Sequence, residues 1–261
     1  MSGVPPANTG PDRAERQKRA AADGAVDQVR PGMVVGLGAG STARFAITRI
    51  AERISEGRLS DITAVPCSRE VGEVAARLGI RIGTLDDHPD LDLTIDGADE
   101  VDPALNLIKG AGGALLREKM VEQASRQVII VIDTSKASPV LGSRRPVPVQ
   151  VVEFGWRAQV RYLESIGARV RPRPGDGKAP FRTDDGQLVL DCAFGPIPHP
   201  RDVAALLEAR AGIVAHGLFL GMATDVLVGT DDGVRHLSRN GAPVQRGPWP
   251  LEQPAPSTRS P

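Results

Sequence analysis

Met33-Val34-Val35-Gly36-Leu37-Gly38-Ala39-Gly40-Ser41-Thr42 is the stretch that decides the fold. An apolar run of strand length ends in a glycine turn, and from Ser41 to about Arg53 the apolar residues recur at helical spacing. Strand, glycine turn and helix form the unit from which parallel α/β sheets are built. Glycines let the chain turn tightly and bare its N–H groups beside the partial positive charge of a helix N-terminus. The run is not a dinucleotide fingerprint, because Ser41 stands where a third Gly belongs and Asp61 precedes the next strand instead of closing it. Nor is it a nucleoside-triphosphate loop, since no Lys follows the last Gly. Two readings remain: a cradle for a single phosphate, with Gly40, Ser41 and Thr42 at its centre, or a plain strand–helix turn capped by Ser41 or Thr42.

Outward from this unit the same rhythm repeats. Ile62–Val65, Leu91–Ile95 and Val128–Ile132 read as further buried strands, with helices near Arg69–Leu78 and before Val128. The alternation predicts an α/β fold with a doubly wound, mostly parallel, Rossmann-like sheet over residues 13–145. From Pro146 to Gly217 the order changes. Strands at Val149–Val152, Ala168–Arg171, Leu188–Asp191 and Ile213–His216 enclose helices at Trp156–Ser165 and about Asp202–Arg210. The order β-α-β-β-α-β predicts a second, smaller ferredoxin-like α+β domain. Residues 218–238, with a strand at Asp225–Val228, are expected to return to the first domain. Residues 1–12 and the Pro-rich 239–261 read as disordered tails.

Composition narrows the function classes. The chain has 261 residues, 41% hydrophobic and 25% charged, and its 32 cationic residues balance 32 acidic ones. A neutral balance argues against sequence-independent nucleic-acid binding, which needs surplus cations, but leaves room for a small anionic ligand. No apolar run reaches the length of a membrane span, and the N-terminus lacks the basic and apolar regions of a signal peptide. Cys67 and Cys192 stand far apart and suggest neither a disulfide framework nor a zinc site, so a reducing cytoplasm is expected. Lys is scarce beside Arg, which draws the eye to Lys18, Lys109, Lys119, Lys136 and Lys178.

Three further motifs carry chemistry. Asp96-Gly97-Ala98-Asp99-Glu100 closes an apolar strand, and ligands of open α/β sheets bind outside such carboxyl ends. With Asp102 it crowds four carboxylates, which repel unless they bind sugar hydroxyls, a metal ion or a cation such as Lys109. A solvated acidic turn is the bland alternative. Lys109-Gly110-Ala111-Gly112-Gly113 leads into a helix whose buried stripe is expected to be Leu116, Met120 and Ala124. Glu118 lies about 200° from Leu116, in the first turn, free to face a cleft; a lone helical Glu is otherwise a surface residue. Asp133-Thr134-Ser135-Lys136 again follows a strand. Three strand ends are thus expected to converge on one sheet edge and to bind a polyhydroxylated anion.

VVGLGAGSTARFAI, LTIDGADEVDPALNLIKGAGGALLREKMVEQAS and VIIVIDTSK resemble the signature blocks of type A ribose-5-phosphate isomerases, and the likeness runs on through PVPVQVV, DDGQLVLDCAF and GIVAHGLF over about residues 16–238. The resemblance implies an aldose–ketose isomerase of the non-oxidative pentose phosphate pathway, working through an enediolate without cofactor or metal, as a homodimer or homotetramer. It implies that Glu118 is the general base, that Asp96 and Asp99 hold and relay protons among sugar hydroxyls, and that Lys109 stands near the reacting oxygens. Substrate contacts are implied for Lys18, Ala39, Gly40, Ser41, Thr42, Gly97, Ala98, Gly110, Ala111, Gly112 and Lys136. Two positions depart from the family pattern. Ala39 replaces a common Thr, leaving the neighbouring backbone N–H to serve, and Ala111 replaces a Gly, so that position must avoid positive φ. The rival readings are a non-catalytic sugar-phosphate sensor and a metal-dependent phosphohydrolase built on the Asp96 loop.

Overall fold

The computed structural model describes residues 11–239 except 176 and 178. The expected terminal tails lie outside the described residues, apart from Pro11 and Asp12, which start the first helix, and Arg239.

The first half follows the strand–helix rhythm. Helix α1 (Pro11–Val26) precedes β1 (Val34–Leu37), α2 (Ser41–Ser55), β2 (Thr63–Pro66), α3 (Arg69–Arg77), β3 (Arg81–Ile82) and β4 (Leu91–Asp96). After two short strands, β5 (Glu100–Val101) and β6 (Leu107–Ile108), come α4 (Leu115–Gln123) and β7 (Ser125–Asp133). The smaller unit contains β8 (Val147–Val151), α5 (Trp156–Ser165), β9 (Arg169–Pro172), β10 (Leu188–Ala193), α6 (Pro200–Glu208) and β11 (Ile213–His216). The chain ends through β12 (Leu218–Phe219), β13 (Asp225–Thr230) and β14 (Gly233–Ser238).

The large sheet has seven strands in the order β14-β13-β7-β4-β1-β2-β3, all parallel except the β13–β14 hairpin. Its central strands are covered on both faces, which is why they read as unbroken apolar runs. Along β7 the period of two is still visible. Ile129 and Val131 pack with Ala21 and Ala25 of α1 and Ile47 and Ile50 of α2, while Val128, Ile130 and Ile132 pack on the other side with Leu115, Leu107 and Phe219. The small sheet runs β11-β8-β10-β9, all antiparallel, the order expected of a ferredoxin-like unit.

Strands β12, β6 and β5 form a third, antiparallel sheet between the other two. Nothing in the sequence announces it, because two-residue strands carry no period. Its consequence is local: it ends at Ile108, and the next N–H, that of Lys109, donates to the Gly217 carbonyl at 2.9 Å.

Helix α1 lies so close to β13 that a Cβ at Gly229 would sit 1.8 Å from the Gln17 carbonyl oxygen. Gly229→Ala must therefore push α1, and Lys18 with it, away from the sheet. The expected result is a loss of about 1–3 kcal/mol, read from urea unfolding; an unchanged midpoint would contradict this packing.

Candidate active site

Strands β1, β4 and β7 are neighbours in the sheet, so the glycine turn, the Asp96 loop and the Asp133 turn leave from adjacent carboxyl ends. Together with the 109–113 loop and α4 they enclose a cavity of about 90 Å³. Its wall includes Ala39 to Thr42, Gly97 to Asp99, Lys109 to Gly112, Glu118 and Lys136. A wider cleft of about 820 Å³ opens beside it and shares Ala39, Gly40, Ser41 and Gly112. Lys18 lines this outer cleft, with Nζ 2.9 Å from the Ser41 hydroxyl.

One ammonium organises the interior. Lys109, 2% exposed, stands with Nζ 2.8 Å from Asp96 Oδ2, 3.5 Å from Glu118 Oε1 and 3.4 Å from Glu122 Oε1. It also donates to the Gly97 carbonyl at 2.7 Å. Burial works against the Lys109 charge, but the three carboxylates outweigh it and hold the ammonium well above its usual range. The acids cannot all be ionised beside it. An ion pair at about 4 Å gains about 4 kcal/mol at an effective dielectric constant near 20, whereas each further buried ion costs several kcal/mol. Accordingly burial raises Asp96 against the pull of Lys109, pushes Glu118 up to about 7 and pushes Glu122 up to about 8. The cluster therefore retains protons into the neutral range, where Glu118 and Glu122 titrate together beside a charged Lys109. That is the condition a group needs to take and return a proton.

The Asp96 loop spreads its carboxylates instead of crowding them. Asp96 turns inward, 1% exposed, where Oδ1 accepts the N–H groups of Gly97 at 2.6 Å and Ala39 at 3.1 Å. Only a glycine permits this at position 38, since a Cβ there would fall 2.0 Å from the Asp96 carboxyl. Asp96 thus holds Lys109 from behind and does not line the cavity, unlike Asp99 and Glu118. Asp99 accepts the Ala111 N–H at 2.9 Å. Glu100 faces away and accepts the Gly142 and Arg145 N–H groups, and Asp102 closes a turn on Asn106.

Two expectations need correction. The buried face of α4 is Leu115, Glu118, Val121 and Glu122, not Leu116, Met120 and Ala124; Met120 is 48% exposed. The helix buries its acids because Lys109 sits opposite them, so its apolar pattern misleads. Ser41 and Thr42 do not cap α2: the cap is Gly40, without a side-chain hydrogen bond, which leaves the first-turn N–H groups to an anion. The Ala39 N–H donates to Asp96 Oδ1, while Ala39 itself stays in the cavity wall. Ala111 does avoid positive φ, as its replacement of Gly requires.

Several residues escaped the sequence reading. Glu122 follows Glu118 at i+4, a spacing that puts both on one helix face and was there to be read. Arg173, just past β9, pairs with Asp191 and donates to the Gly110 and Ala111 carbonyls at 2.8 and 2.9 Å, bracing the 109–113 loop from the small sheet. Phe219 lies under both Lys109 and Lys119, whose Nζ atoms are 5.4 and 4.6 Å from the ring centre. No local pattern signals Arg173 or Phe219, since their partners lie far away in the chain.

Three outcomes follow from the charge arrangement. A reaction in which Glu118 takes the proton should lose kcat/KM tenfold per pH unit below about 7, because only the ionised carboxylate accepts one. A pH-rate profile flat down to pH 5 would remove Glu118 from that role. The folded-state pKa values of Glu118 and Glu122 are raised, so their contribution to stability is full below their ordinary range and is lost as pH climbs through about 7 to 8. Lys109→Met leaves the carboxylates without a counter-charge and should abolish turnover and cost about 3–5 kcal/mol in chemical denaturation at neutral pH.

Comparison with known proteins agrees with this geometry. The family described as Ribose 5-phosphate isomerase A (phosphoriboisomerase A) matches residues 63–233. The ribose-5-phosphate isomerase A of Chloroflexus aurantiacus is 57% identical over 224 residues, spanning 86% of this chain and 94% of that protein. That of Gluconobacter oxydans is 48% identical over 221 residues, spanning 84% and 95%. Among solved structures, a D-ribose-5-phosphate isomerase in complex with phospho-erythronic acid superposes with a TM-score of 0.85 at 37% identity, covering 87% of this chain and 99% of that one. The Methanocaldococcus jannaschii ribose 5-phosphate isomerase A gives 0.81 at 36% identity, covering 85% and 97%. Likeness of this extent, over more than four-fifths of the chain, places the chain in the ribose 5-phosphate isomerase A family.

Proposed function

We propose that this protein interconverts D-ribose 5-phosphate and D-ribulose 5-phosphate, with Glu118 moving the proton between C2 and C1. The observation that carries the residue assignment is the Glu118 carboxyl. It is buried beside the Lys109 ammonium, and both line a cavity whose other end is the N-terminus of a 15-residue helix, α2, with Lys136.

In this reading the phosphate lies at the first turn of α2, where bare N–H groups and Lys136 meet it and Lys18 supports Ser41. Anchoring the far end of the substrate turns binding energy into positioning at the reacting carbons. Ionised Glu118 takes the C2 proton, negative charge grows on the carbonyl oxygen at C1, and Lys109 stabilises it as a fixed, desolvated ammonium. Glu118 then returns its proton to C1, and Asp99 passes the hydroxyl proton from O2 to O1 to complete the ketose. Asp96 acts through Lys109. One carboxylate serves both half-reactions, because the two carbons are adjacent.

The neutral charge balance and the paired acid and ammonium favour catalysis over mere sensing of a sugar phosphate. No helix among the described residues is long and apolar enough to cross a membrane. The homodimer or homotetramer and the cytoplasmic setting implied by the resemblance are part of this proposal; light scattering of the purified protein tests the former.

Incubated with ribose 5-phosphate, the protein should form ketose at the same rate with and without EDTA and release no inorganic phosphate. Glu118→Gln should keep KM within a few-fold and lower kcat by about a hundred- to ten-thousand-fold. Near wild-type turnover in that variant would overturn the assignment of the base, and phosphate release abolished by EDTA would favour a hydrolase.

A further inference from the structure

Cys67 follows β2, one strand over from β1, and its N–H donates to the Leu37 carbonyl at 2.9 Å. This bond sets the residue beneath the glycine turn, fully buried and without a disulfide partner. Its Sγ and one carboxylate oxygen each of Asp96 and Glu118 lie within 4.8 Å of one another. A thiol and two acids from three separate elements thus meet at a point the reaction leaves half unused.

We propose that Cys67, Asp96 and Glu118 form a binding site for a thiophilic divalent cation of the zinc or cadmium type, and that its occupation switches the active site off.

A second observation points to a cation independently of the thiol. Glu118 is 6% exposed, and its Oε2 is buried with no hydrogen-bond partner; both carboxyl oxygens of Glu122 are in the same condition. Three carboxyl groups share one ammonium, so the cluster is short of positive charge and holds protons in its place. A cation that displaces those protons meets acceptors already stripped of water.

The donor set selects the ion. Sulfur at about 2.3 Å and oxygen at about 2.1 Å from a tetrahedral zinc lie about 3.5 Å apart, so the present separations, all within 4.8 Å, need to close by no more than about 1.3 Å. Magnesium and calcium prefer all-oxygen shells and gain nothing from the thiol. The way in is the substrate cavity, because Glu118 lines it while Cys67 is sealed behind. Binding forms a metal–sulfur bond as the thiol proton leaves to water. Any proton on Glu118 leaves likewise, and nothing is oxidised or reduced. The bound ion would occupy the proposed base and draw Asp96 from Lys109. It should therefore compete with the sugar phosphate; that arm rests on the isomerase reading, whereas the binding itself does not.

The test is titration of the purified protein with cadmium chloride in thiol-free buffer, following the ultraviolet thiolate-to-cadmium charge-transfer band and the isomerase rate together. The band should saturate at one equivalent in the wild type and in Cys192→Ser, be absent in Cys67→Ser, and not develop with magnesium. Isomerase activity should fall in step with it and return with EDTA. Cys67→Ser should keep the uninhibited rate and need at least tenfold more cadmium for half-inhibition. Should that variant fold poorly, Cys67→Ala and protection of the wild-type band by ribose 5-phosphate supply the same contrast. A band of equal size in Cys67→Ser, its loss in Cys192→Ser, or no band in the wild type would overturn the proposal. Absence of turnover in untreated protein would instead count against the isomerase reading.

Discussion

A single buried ammonium, that of Lys109, holds together everything that matters at this site. It meets Asp96, Glu118, Glu122 and the Gly97 carbonyl at once, so its own loop, the end of β4 and helix α4 share one charge. Removing two or three ions from water is unfavourable unless each finds its counterpart. The arrangement persists because protons make up the difference. The carboxyls retain them to higher pH than usual, and the one nearest neutrality, Glu118, is also one that reaches the cavity. The shortage of positive charge in the cluster therefore tunes Glu118, the acid proposed to move the proton.

The smaller sheet is a brace for this cluster more than a separate unit. Arg173 grips the carbonyls of Gly110 and Ala111, while Phe181 packs so closely on Gly113 that a Cβ there would fall 2.3 Å from the ring. Asp184 and Asp185 pair with Arg117 on α4, the helix that carries Glu118. The 109–113 loop is rich in glycine and has little side-chain packing of its own, so its conformation comes from these outside contacts. Flexibility written into the loop is cancelled from across the molecule.

Some of this was open to reading residue by residue. The run of buried strands was plain because both faces of a parallel sheet are apolar, and the three strand-end motifs were plain because turns need glycine and ligands need polar groups at fixed offsets. The reading failed where burial did not follow hydrophobicity. Helix α4 turns two glutamates inward and leaves Met120 half in water, since an ion cluster and not an oily core lies beneath it. The strands β5, β6 and β12 failed for a different reason: two residues cannot show a period, and their pairing partners are remote in the chain.

By itself, then, the sequence determined the class of fold, the order of elements, and which loops carry glycines, carboxylates and lysines, because these depend on interactions within a few residues. Only the tertiary structure decided that β1, β4 and β7 lie side by side, that Asp96 backs Lys109 while Asp99 faces the cavity, and that Cys67 joins the same cluster. Those outcomes turn on distances between groups tens of residues apart. Ionisation follows the same rule: the burial and neighbouring charges that place Glu118 near neutrality exist only once the chain has closed around them.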